Sequence, residues 1–340
     1  MANGNTSPSR LGQVNASGDV NALFLKVFSG EILTTFEEQN VMKELHMVRT
    51  IQNGKSAQFP VTGIASAKYH TAGENIADGA NSYLSAIKHA ERVISIDDVL
   101  ISSTFIANID ELKNHYDVRS IYAKELGKAL AKRFDIATMK TLAAAARGTS
   151  DIGGDDGTIL GASTSLFATA NATAGELIDA LYGVAESLDG KDVSDEGRFA
   201  ILSPADYYTL ITADNSAVSL AANRDVGGVG NIATGTISQV AGINLVKSNH
   251  LSAIKVAEAS QDQDDDGVNN DVFGASGTGY NGDLSATRIL AGTKEAIGTV
   301  KLLDLATESE YQIERQGTLF VAKYAMGHGV LRPECAVEVR

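Results

Sequence analysis

The side chains best able to do chemistry are few and scattered. The six histidines are His46, His70, His89, His115, His250 and His328, and no two stand four residues apart. No helical turn therefore presents a ready metal-binding pair. The single cysteine, Cys335, can supply neither a thiolate cluster nor an internal disulfide. Neither H-E-x-x-H nor G-x-S-x-G occurs, so zinc-protease and nucleophile-elbow chemistry find no motif. Each histidine reads as a structural residue.

Three short motifs invite a binding role. Gly54-Lys55-Ser56 has the end of a phosphate-binding loop, but Arg49 stands where its first glycine belongs. The residues that follow, AQFPV, read as strand, so no helix N-terminus points at a phosphate. Residues 228–233, GVGNIA, fit G-x-G-x-x-A but follow Asn223-Arg224-Asp225 rather than an apolar strand, and they read as a loop. Asp262, Asp264 and Asp266, with Gly267 next, match positions one, three, five and six of a calcium loop. They are the candidate metal ligands, since hard carboxylate oxygens suit that ion. The twelfth position, which should carry a bidentate glutamate, is Phe273, and a solvated acidic loop is the ordinary reading of the same residues. No cofactor is expected.

Composition narrows the class. The chain has 340 residues, and 28 Lys+Arg against 42 Asp+Glu give a formal charge of −14. That balance argues against a general nucleic-acid binder. With 44% hydrophobic and 21% charged residues, the chain can bury a substantial core. No apolar run reaches the roughly 18 residues of a membrane span. Residues 1–19 are rich in Asn, Ser and Gly and lack a secretory apolar segment, so the expected setting is a reducing compartment.

The elements that must position these residues form an unusual sequence. A polar arm leads into residues 21–36, whose Leu23, Phe24, Val27, Phe28, Ile32 and Phe36 predict a short amphipathic helix. Residues 56–63 and 83–96 alternate as strands around a Gly/Asn/Asp loop, which predicts a long hairpin with little core of its own. Residues 108–147 predict a helix of roughly 40 residues, about 60 Å at 1.5 Å per residue. Asn108 and Glu111 would cap it and Gly148 would end it, with Leu112, Tyr116, Ala123, Leu126, Leu130, Phe134 and Ala137 on one face. That is long for a compact enzyme domain and suits a strut. Residues 149–160 read as a linker, 174–188 as a helix, 198–203 (RFAILS) as a buried strand and 204–211 as the helix after it. Strand material follows at 237–246, an exposed Gly/Asp/Asn insertion at 261–284, and β alternation from 289 onwards.

Several segments, in order, carry a resemblance: ALFLKVF at 22–28, HMVR at 46–49, GKSAQFPV at 54–61, HYDVRS at 115–120, AIGTVKL at 296–302, AKYAMGHG at 322–329 and LRPE at 331–334. Together they resemble the major capsid protein of T-seven-like short-tailed bacteriophages (podoviruses of the Autographiviridae type). Residues 149–290 match weakly. The resemblance implies an α+β chain with the Hong Kong-type tailed-phage major capsid fold. Its expected parts are an N-terminal arm at 1–53, an E-loop hairpin at 54–97 and a peripheral domain with a spine helix at 98–148. An axial domain with the acidic insertion would follow at 149–288, and 289–340 would return to the peripheral domain.

The implied function is structural, with no catalysis. Hexamers and pentamers of the chain would form an icosahedral shell, built in the host bacterial cytoplasm with a separate scaffolding protein and a portal protein. The shell would enclose double-stranded DNA without sequence-specific binding and without a membrane. An acidic inner wall would not adhere to phosphates. A calcium-binding surface module using residues 262–266 is the alternative.

Overall fold

The computed structural model describes residues 40–63, 65–73, 75–76, 83–84, 87–107, 118–150, 154–161, 173–211, 230–231, 236–237, 239–254 and 284–340. The chain divides into two compact units. The first comprises Met1–Asn40, Val99–Arg133 and Leu303–Ala325, and the second comprises Val41–Asp98, Phe134–Leu302 and Met326–Arg340.

The second unit is organised on a six-stranded mixed sheet of order β5-β14-β11-β6-β10-β9. These strands are β5 (Thr158–Leu160), β6 (Phe199–Leu202), β9 (Gln239–Val240), β10 (Ile243–Lys247), β11 (Ile289–Gly292) and β14 (Ala336–Val339). β6 pairs in parallel with β10, Phe199 opposite Asn244, and antiparallel with β11, Leu202 opposite Ile289. Its unbroken apolar run, FAIL, is buried throughout, as a strand covered on both faces requires.

Helix α2 (Ala174–Asp189) closes one face of this sheet. Thr173 and Glu176 form a reciprocal capping box, and Leu177, Ala180, Leu181, Val184, Ala185 and Leu188 are buried at helical spacing. They pack with Ala200, Leu202, Ile243, Ile289, Val337 and Val339. Helix α3 (Pro204–Ile211) adds Tyr207 and Leu210 to the same core.

The long helix, α1, runs over Val118–Ala146. The expected caps Asn108 and Glu111 lie outside the described residues. The apolar stripe continues through Leu130, Phe134 and Ala137, but past Phe134 the helix is buried nearly all round, including Asp135, Thr138, Lys140 and Thr141. Two of those polar groups are satisfied within the helix: Thr138 donates to the Phe134 carbonyl at 3.0 Å and Thr141 to that of Ala137 at 2.9 Å. Arg147, just beyond the helix, reaches the fully buried Glu338 of β14 with two bonds of 2.6 and 2.7 Å. Burial alone would raise the Glu338 pKa, but these bonds, with those from Thr287 and Arg340, hold it below the usual carboxylate range.

In the first unit, β4 (Leu100–Ala107) pairs antiparallel with β13 (Gly317–Val330), from Leu100 opposite Tyr324 to Ala107 opposite Gly317. β12 (Ile297–Gln312) and β13 each run from one unit into the other along the chain. The sequence reading missed β4. The expected linker at 149–160 contains β5, which pairs in parallel with β14, Leu160 opposite Val339.

Candidate assembly surface

The hairpin of β2 (Ser56–Thr62) and β3 (His89–Ser95) pairs in a full register, from Ser56 opposite Ser95 to Thr62 opposite His89. Its base is not without a core. Ala57 and Ile94 are buried with Val300 and Leu331, and Ile51, Phe59 and Ile96 pack around them. Backbone bonds reinforce the attachment: Ile96 N–H to the Lys55 carbonyl at 2.8 Å and Asp97 N–H to that of Met326 at 3.2 Å. Arg49, on β1 (Met47–Thr50), donates to the Gln58 carbonyl at 2.9 Å and lies over the Phe59 ring. Gly54, at φ 115°, makes the turn that feeds β2, a conformation suited to a residue without Cβ.

Beyond Thr62 the side chains change character. Tyr69 is fully exposed, Leu84 is 64% exposed and Ile76 56%, and Ile87 is also exposed. The described part of this extension is braced by its own contacts. The Tyr83 hydroxyl accepts from the Thr71 N–H at 3.2 Å, its N–H donates to the Ile76 carbonyl at 3.3 Å, and its ring lies 5.0 Å from that of His70. Apolar side chains are thus held out in water on an ordered frame. Considered by itself, the first unit also exposes apolar surface, with Val99 just before β4, Ile101 and Phe105 on it, and Ile313 at the turn into β13.

Two of the three candidate motifs fall at least in part among the described residues, and the third lies outside them. Asp262, Asp264 and Asp266 lie outside the described residues, as does His115. Among the described residues no group of His, Cys, Asp and Glu is placed to hold a metal ion, and no helix is long and apolar enough to cross a membrane. Ser56 opens strand β2, so Gly54-Lys55-Ser56 precedes no helix. Gly230 and Asn231 form the short strand β7 (Gly230–Asn231), paired with β8 (Thr236–Ile237). Cys335 is buried, and burial pushes its thiol pKa up. His70 and His89 are exposed. His46, His250 and His328 instead enter a polar network in the second unit that sequence reasoning missed, because its partners are distant along the chain.

A family model described as "Gp10A-like: Major capsid protein" matches residues 58–340. The chain belongs to this major capsid protein family. It is 36% identical over 335 residues to the major capsid protein of Escherichia phage T7, covering 95% of this chain and 93% of that one. Among solved structures it is similar to the capsid of cyanophage P-SCSP1u, at 39% identity and a TM-score of 0.72, with 98% of both chains covered. The fold also matches the mature capsid of bacteriophage PhiM1, at 19% identity and a TM-score of 0.67, over 90% of this chain and 88% of that one. The α+β architecture is therefore the Hong Kong-type tailed-phage capsid fold, and the family is structural rather than enzymatic.

Proposed function

We propose that the chain, a structural subunit of a phage capsid shell, closes its shell by laying the hairpin region 54–97 across a neighbouring copy. The observation that carries this reading is the hairpin's two-ended character: a base bonded into its own core and an extension whose Tyr69, Ile76, Leu84 and Ile87 face water. Apolar groups held on an ordered frame lose little conformational freedom on docking, so their burial converts efficiently into association. Many modest contacts of this kind sum to a strong closed shell.

On this reading the arm is residues 1–53, the peripheral domain is 98–148 with the return at 289–340, and the axial domain is 149–288. Hexamers and pentamers assemble in the host cytoplasm with a scaffolding protein and a portal protein, and the product encloses double-stranded DNA. The net charge of −14 supports a wall that does not adhere to phosphates.

The test is removal of residues 73–81 from the chain co-expressed with its scaffolding protein, followed by sedimentation velocity. Folded small species without shells are expected. A fast boundary of intact shells would sink the proposal.

A further inference from the structure

Residues 41–46 begin the second unit, immediately after the N-terminal 40 residues, and buried polar groups on α1 and β12 grip them, each bonded in turn to a histidine on a further element. Asp135, on α1, accepts the Val41 N–H at 3.1 Å and the Met42 N–H at 3.2 Å. The same carboxylate meets His250 Nδ1, on α4 (His250–Ile254), at 3.1 Å. Met42 is completely buried, and so is Asp135. The Met42 carbonyl lies 2.5 Å from His46 Nδ1. His46 Nε2 lies 2.8 Å from Thr299 Oγ1 on β12, and Thr299 Oγ1 lies 2.8 Å from His328 Nδ1 on β13. The Phe134 ring packs 5.7 Å from that of His46 and 5.2 Å from that of His328.

Partner chemistry assigns every proton in this chain. A carbonyl only accepts, so His46 Nδ1 carries hydrogen and donates to Met42. Neutral His46 then offers a lone pair at Nε2, and the Thr299 hydroxyl donates its one hydrogen there. Thr299 Oγ1 is left to accept, so His328 Nδ1 is the protonated nitrogen. The bonds run one way, from His328 through Thr299 and His46 to Met42, and they require His46 to be neutral; burial, rather than this bonding, keeps His328 neutral. A proton added at His46 Nε2 would face the Thr299 O–H and break the sequence.

We infer that residues 41–46 form a latch, closed by the neutral His46–Thr299–His328 chain and opened by proton uptake. Each nearby charge has a definite sign. Burial is the largest influence on His46 and lowers its pKa; the Met42 carbonyl and Asp135 oppose it, and Lys301 on β12 reinforces it. Burial, with a smaller push from His46, lowers His328 to about 3. Opening the latch returns both rings to water, where imidazole titrates near 6.5. Between that value and the depressed values of the closed form, the open form binds more protons, so acid favours opening.

Hydrogen exchange read by mass spectrometry on the full-length chain, for peptides spanning residues 41–46, tests the latch between pH 7.5 and 5. After correction for the pH dependence of exchange chemistry, each imidazole contributes up to a tenfold rise in opening per pH unit below about 6.5. Two imidazoles approach a hundredfold per unit. His46→Gln or His328→Gln should reduce the slope to about tenfold, and the double variant should abolish it. Thr299→Val should raise opening at every pH and keep the slope. Peptides over residues 199–202 should stay protected and exclude global unfolding. A flat wild-type profile, or an unchanged slope in the double variant, overturns the inference. Labelled-histidine NMR on the unaltered chain gives an independent reading: both rings should be neutral Nδ1–H tautomers at pH 6, and a charged ring there also overturns it.

Discussion

All four residues of β6 are buried, and β10 and β11 hydrogen-bond to its two edges. The hairpin β2–β3 buries one residue on each of its seven-residue strands and then extends into water. Both regions are β structure in the same unit, yet one has its apolar surface covered by its own chain and the other carries that surface outward. The difference separates two thermodynamic roles. Burial at β6 stabilises the subunit, whereas exposed apolar area along the hairpin contributes only when another surface covers it. A shell subunit needs both kinds of region.

The contrast is broken most severely at its buried end. Ile201 is fully buried on β6, between Val246 of β10 and Leu290 of β11 in the register. Ile201→Ala removes packed methylene groups and leaves a cavity, at a cost of about 2–5 kcal/mol. Urea unfolding of the unassembled subunit should show a lower midpoint by that amount. A loss below about 1 kcal/mol would mean that the sheet centre relaxes far more than close packing allows.

How much was legible follows from where the signals reside. β6 and α2 could be read because their information is local: an apolar tetrapeptide, and Thr173 with Glu176 ahead of leucines at helical spacing. β4 escaped notice because LISSTFIA places Ser102, Ser103 and Thr104 within the strand, blurring its alternation. β5 has three residues inside a Gly/Asp-rich stretch, and its identity comes from pairing with Val337–Val339. The grip on residues 41–46 was invisible for a related reason. Asp135 lies 94 residues from Val41 and His46 lies 253 from Thr299, so no window of sequence contains both partners. Nothing local marks a histidine as more than structural, and the network of His46, His250 and His328 comes only from the fold. The exposed end of the hairpin was legible as a shortage of core, but its anchored base was not, since Val300 and Leu331 come from the far end of the chain.

A smaller effect is expected at the hairpin's base, and it sharpens the boundary between the two roles. Gly327 on β13 lies against the backbone of Ser95 and Ile96. A Cβ there would overlap the Ser95 carbonyl oxygen and come within 2.8 Å of its carbon and 2.9 Å of the Ile96 Cα. Backbone atoms cannot rotate away as a side chain can, so Gly327→Ala must push the strand and the hairpin base apart. Overpacking of this kind costs about 1–3 kcal/mol. The loss should appear in thermal unfolding, together with faster hydrogen exchange at Ile96, whose N–H bonds to Lys55. Unchanged exchange at Ile96 would show that the base tolerates displacement and is not a fixed anchor.

The smallest effect on the subunit is expected farther out, and there the comparison meets assembly directly. Leu84 is 64% exposed, so Leu84→Ser removes little that the isolated chain uses, and its unfolding free energy should change by less than about 0.5 kcal/mol. Docked against a neighbour, a leucine side chain is worth about 1.5–3 kcal/mol when fully buried. The concentration at which shells first form should therefore rise by roughly tenfold or more. Light scattering across a dilution series measures that threshold, and urea unfolding of the same preparation measures the subunit. A raised threshold with an unchanged subunit would separate assembly energy from folding energy at one residue. An unchanged threshold would place Leu84 outside the contact, and a destabilised subunit would mean that this side chain already has a partner within its own chain.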